Sequence, residues 1–108
     1  MKKYNGRMES VNRPEVCRAA VKKVFGGRRD LETLSRKFIE PAFDHIDAIN
    51  PGRIEQLPKE TISFIAETAA WFLMESGLFL TLKGSEQENP GLRVAEHLLS
   101  SCQVIKPS

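Results

Sequence analysis

Apolar residues recur at helical spacing in four stretches of the chain. In the first, Val16, Cys17, Ala20, Val21, Val24 and Phe25 share one side of a helix predicted from about Arg13 to Phe25, while Arg18, Lys22 and Lys23 lie off that side. Asn12 is a suitable cap, Pro14 occupies the first turn, where a missing N–H costs nothing, and Glu15 favours the positive helix end. Gly26-Gly27 stops the helix, because glycine accepts the left-handed conformation of a C-terminal cap. The second stretch starts at Asp30, again a capping residue, and its stripe is Leu31, Leu34, Phe38, Ala42, Ile46 and Ile49. Pro41 falls inside it and removes a backbone hydrogen bond. The stripe stays in phase across Pro41, which predicts a helix kinked or broken there. Asn50-Pro51-Gly52 is turn chemistry, and a linker continues to Pro58.

The third stretch, from about Lys59 to Leu82, is the most apolar. At 100° per residue, Ile62, Ile65, Ala66, Ala69, Ala70, Phe72 and Leu73 form a broad inward face, with Glu60, Ser63 and Glu67 opposite. Phe64, Trp71 and Leu78 break that polar side at a spacing of seven, a second stripe suited to helix–helix contact. The covering element is either the first or last helix of the same chain or another molecule. Gly77 can end the helix early, leaving residues 78–82 extended, but no partner strand is evident and continuation of the helix is the expectation. Glu67 and Glu75 argue against a membrane span over 62–82. After the polar segment 83–88, Asn89-Pro90 opens a last helix whose face is Leu92, Ala95, Leu98, Leu99 and Cys102.

Four such stripes joined by short loops predict an all-α fold, a four- to five-helix bundle around the central apolar helix at about 59–82. The expected organisation is a flexible N-terminus over 1–11, a single helical domain over 12–103 and a frayed tail over 104–108.

Composition agrees with a globular domain: 41% of the 108 residues are hydrophobic and 28% charged, enough to bury a core without staples. The net charge of +2 conceals an asymmetry. Residues 1–40 hold 11 Lys/Arg against 5 Asp/Glu, whereas residues 41–108 hold 5 against 9. The split suits either two faces attracting each other across the fold or a basic surface for an acidic partner. Cys17 and Cys102 form no Cys-x-x-Cys pair and fall on apolar faces, so both are expected reduced and buried. No apolar segment follows the basic N-terminus, which predicts a cytoplasmic protein rather than a secreted one.

Candidate chemistry is sparse. Gly26-Gly27-Arg28-Arg29 lacks the lysine and serine of a phosphate loop. In Asp44-His45-Ile46-Asp47, Asp44 and His45 do not converge on one ion when placed on a helix, since adjacent residues point about 100° apart. Arg93 and His97 stand one turn apart, compatible with phosphate contact but too close together for the Arg–His pattern of the helical ribonucleases. No serine occupies a nucleophile elbow, and neither cysteine has an evident base. The sequence therefore predicts a non-enzyme with no metal and no cofactor.

Two functional expectations remain. The first is a small helical interaction or regulatory protein, self-associating as a homodimer or binding a protein partner through Phe64, Trp71 and Leu78, since tryptophan is favoured at the centres of interfaces. The alternative is a nucleic-acid-binding regulator. The first two helices and their Gly-Gly-Arg-Arg turn loosely resemble a helix-turn-helix, which would bring Arg18, Lys22, Lys23, Arg28, Arg29, Arg36 and Lys37 to phosphates or bases. The spacing from Ala20 to Gly26 is longer than that motif uses. No membrane partner is expected.

Overall fold

Helix α1 (Arg13–Phe25) begins where Asn12 accepts a hydrogen bond from the Glu15 N–H and ends where Gly26 turns left-handed, φ 73°, returning its N–H to the Lys22 carbonyl. The computed structural model describes residues 12–27, 30–77 and 90–106. In order, its elements are α1, α2 (Leu31–Leu34), a π-helical turn (Ser35–Ile39), α3 (Glu40–Ile49), α4 (Lys59–Ser76) and α5 (Pro90–Ser101), with short 3-10 turns at Ile54–Gln56 and Gln103–Ile105. The described residues form an all-α bundle.

Helices α2 and α3 run on through the π turn without leaving right-handed helical geometry. Pro41 has no N–H to offer the carbonyl four residues back. The turn preceding it widens instead, and the Glu40 N–H reaches the Ser35 carbonyl, five residues back. The irregularity required by Pro41 therefore sits one turn upstream as a π turn, a recognised way for a helix to absorb a proline. Phe38 and Ile39 of this turn are fully buried, and the turn packs against α1, α4 and α5, so it lies at the centre of the core.

Around it, α1 lies along α4, and α5 packs on both α3 and α4. Ile62, Ile65, Ala66, Ala69, Ala70 and Leu73 of α4 are buried together with Val21, Phe43, Ile46, Val94 and Leu98. The runs of alanine on α4 let neighbouring backbones come close. A tighter approach occurs where α5 meets α3: Gly91 is buried against Pro41, and a Cβ at Gly91 would lie 2.5 Å from the Pro41 Cβ. Arg13 ties the start of α1 to α3, its guanidinium donating to Asp47 at 2.6 and 3.2 Å and lying 5.8 Å from the Phe43 ring centre.

Several boundaries differ from the sequence expectation. Helix α4 ends at Ser76, not near Leu82, because Gly77 adopts the left-handed conformation, φ 73°. Residues 78–82, and with them Leu78, lie outside the described residues, as do 1–11. The expected tail over 104–108 includes a 3-10 turn whose Ile105 is fully buried. The turn is held by the Asn50 amide donating to the Ile105 carbonyl and by Arg53 donating to the Val104 carbonyl. Leu92 and Ile49, assigned to inward stripes, are exposed, while Ile39, Phe43, Val94 and Ile54 are buried.

Candidate functional site

Of the surplus stripe of the central helix, Phe64 and Trp71 lie in the open. Phe64 is 63% exposed and Trp71 49% exposed. The two residues are about 20° apart around α4 and roughly 10 Å apart along it, since each residue advances 100° and 1.5 Å. The buried side of α4 is diametrically opposite. Neither α1 nor α5 covers the pair, because α1 approaches one flank, where Lys23 meets Glu67 at 3.3 Å, and α5 the other, where His97 stacks on Phe72 with ring centres 4.2 Å apart. The remaining exposed large apolar residues, Ile49, Leu92 and Val104, are dispersed over α3, α5 and the C-terminal turn. Among the described residues, Phe64 and Trp71 are thus the exposed large apolar pair that shares one helix face.

Beside Phe64 is a shallow open depression of about 420 Å³ lined by Lys59, Glu60, Ser63, Phe64 and Glu67. Carboxylates border the aromatic pair along its length: Glu60, Glu67 and Glu75 all fall within about 60° of it on the helix. Glu67 is engaged by Lys23, while Glu60 and Glu75 are exposed and show no ion pair among the described residues. The local chemistry is an aromatic ridge with an acidic rim.

Among the described residues of the basic N-terminal half, three cations face carboxylates. Lys23 is committed to Glu67, Arg36 reaches Glu32 at 3.6 Å, and Arg13 is bound to Asp47. Arg18 is half-buried, Lys22 and Lys37 are exposed, and Arg28 and Arg29 lie outside the described residues.

Glu40 is an electrostatic feature with no signature in the sequence. One of its carboxylate oxygens, Oε2, is buried with no hydrogen-bond partner. Burial pushes its pKa up, against the opposing pull of Arg36 and Arg18 and with the reinforcing charges of Asp44 and Glu32. Because the folded-state pKa lies above the unfolded one, the ionised group weakens the fold at neutral pH, and that penalty vanishes below the unfolded value of about 4.3, where both states are protonated. Glu40→Gln is therefore expected to raise the melting temperature at pH 7. The gap from wild type should close as the pH is taken to about 4. Thermal melts of both proteins at the two pH values check this, and a gap that stays constant would show that the carboxylate charge is not its cause.

Both cysteines are held in the thiol form. Burial pushes the Cys17 thiol up to about 12, reinforced by the nearby Glu40 charge, and burial also raises Cys102. Both cysteines are unpaired to each other and buried, with thiols held away from the nucleophilic thiolate form. His97 shares a 3.4 Å contact with Ser101 on the exposed side of α5. Among the described residues, no three His, Cys, Asp or Glu side chains are grouped as metal ligands would be, and no helix is long and apolar enough to cross a membrane. Compared with known proteins, the chain matches no family model, no curated protein and no solved structure.

Proposed function

We propose that this protein is a non-enzymatic helical interaction protein whose working surface is the Phe64–Trp71 face of α4, and that the same face lets it self-associate weakly. The observation that carries the reading is the exposure of two large aromatic side chains on one face of the central helix. Aromatic residues dominate interface energetics, and a ridge of them on a rigid helix is already organised for docking.

A second copy can use this surface. An antiparallel two-fold contact centred between Glu67 and Thr68 places Phe64 of each copy against Trp71 of the other. Two half-exposed aromatics per copy contribute roughly 300–500 Å² to such a contact, taking 150–250 Å² for each ring when fully buried. A stable specific interface buries about 1,200 Å² or more. Self-association is therefore weak. The same two-fold sets Glu60 against Glu75 twice, and salt should relieve that repulsion.

Sedimentation equilibrium tests the proposal. The wild type should show a monomer–dimer equilibrium at high micromolar concentration that strengthens in about 1 M salt, where the Debye length is about 3 Å. Trp71→Asp should be monomeric throughout. A wild type that stays monomeric in both salts sinks the self-association; a Trp71→Asp dimer as tight as the wild type shows that another surface is responsible.

A further inference from the structure

We infer that the preferred occupant of the α4 face is a cationic amphipathic helix from another protein, not a second copy of this chain. The inference rests on the interaction reading above and names its partner.

Phe64 and Trp71 stand two helical turns apart, matching anchors at positions i and i+7 of a helix laid along α4. The depression beside Phe64 offers room for one such anchor, with Lys59, Glu60, Ser63 and Glu67 at its wall. These features fit any apolar helix. The charge decides among occupants. Glu60 and Glu75 flank the aromatic pair at its two ends, exposed and without an ion-pair partner among the described residues, and Glu67 lies between them. A second copy gains aromatic packing only by bringing acid to acid. In the antiparallel arrangement Glu60 meets Glu75 twice; in the parallel one each glutamate meets its own counterpart. Like charges juxtaposed across an interface oppose binding and select against that partner. A helix carrying Leu or Phe at heptad spacing, with Lys or Arg beside them, satisfies the ridge and the rim together. Opposite charges also steer its approach.

The test uses the full chain and three synthetic helix-forming peptides of about 18 residues, long enough to span from Glu60 to Glu75 at 1.5 Å per residue. The first has leucines at heptad spacing flanked by lysines, the second has glutamate at every lysine position, and the third keeps the lysines but replaces leucine with alanine. None contains tryptophan. Trp71 is the chain's single tryptophan and is half exposed, so its emission should shift to the blue when a helix covers it. Calorimetry gives affinity independently. The leucine–lysine peptide should bind saturably with the blue shift, and the other two at least roughly tenfold more weakly.

Two variants on the exposed side of α4, Phe64→Ser and the double substitution Glu60→Lys with Glu75→Lys, should each weaken binding by roughly tenfold or more while leaving the helical circular dichroism intact. Equal binding of the glutamate peptide, equal binding of the alanine–lysine peptide, or unchanged binding by the charge-reversed variant overturns the inference. If the leucine–lysine peptide fails to bind while the wild type dimerises through Trp71, the partner assignment fails and the interaction reading stands. If neither occurs, both fail together. The charge double variant sharpens the distinction. Its mixed dimer with wild type should be tighter than the wild-type dimer, the opposite of its effect on the peptide.

Discussion

Alanine in place of Gly91 is expected to destabilise the protein by about 2 kcal/mol, within the range of overpacking substitutions. Helix preference alone argues the other way, since alanine is favoured over glycine by up to about 1 kcal/mol in a helix interior. The difference is position. The new Cβ would lie 2.5 Å from the Pro41 Cβ, 3.2 Å from its carbonyl carbon and 3.3 Å from the Ala42 nitrogen. These atoms belong to a proline ring and to backbone inside a helix, so the clash cannot be relieved by rotating a flexible side chain. Either α5 moves off α3, opening the contact between Val94, Leu98 and the core, or the helix carrying Pro41 bends further. Urea unfolding of Gly91→Ala checks the sign and size. Pro41→Gly removes the facing Cβ, so the double variant should recover part of the loss, giving a coupling of about 1 kcal/mol or more between the two positions. A stabilised Gly91→Ala would mean that α5 slides away from Pro41 at negligible cost.

That contact also marks how far the sequence could be read. Caps and stops were legible because they are local: Asn12, Asp30, Gly26 and Pro90 act through their own backbone neighbours, and α1 begins and ends where those residues require. The inward face of α4 is legible from phase, since Ile62, Ile65, Ala66, Ala69, Ala70 and Leu73 are all buried, and only Phe72, at the edge of that face, is half-buried. The helix containing Pro41 shows a single stripe in its sequence pattern, yet Ile39 and Phe43 are fully buried beside it. Widening of the turn at Ser35–Ile39 and packing by α1, α4 and α5 bury a broader arc than one stripe, and neither effect is written in local periodicity. Ile54 and Ile105 sit in single 3-10 turns too short to show a period at all. Gly91 and Glu40 depend on which helix lies opposite, a matter of tertiary arrangement. For the candidate face, phase singled out Phe64 and Trp71 as out of place. Their exposure follows from where α1 and α5 settle on α4, which no pattern along α4 contains.

Two phenylalanines separate what the core requires from what it does not. Phe43→Ala is expected to cost about 3–5 kcal/mol, the usual range for deleting a fully buried ring. The ring is inaccessible on α3, and Arg13 lies over it while holding Asp47, so its loss leaves a cavity and loosens the support beneath that ion pair. A domain of this size has about 5–15 kcal/mol of stability in total, so the variant should be marginal at 37 °C and should unfold at much lower urea. Phe64→Ala should change stability by no more than about 0.5 kcal/mol, because most of that ring is in water in the folded and unfolded states alike. Urea titrations of the two variants side by side measure the contrast. Its meaning lies in the second number. A solvent-exposed aromatic that the fold can lose without consequence is not part of the core, and paired with Trp71 on one helix face it leaves the surface that the proposed interaction needs. A loss of about 2 kcal/mol on Phe64→Ala would show instead that the chain itself packs this ring, and the α4 surface would have nothing left to offer a partner.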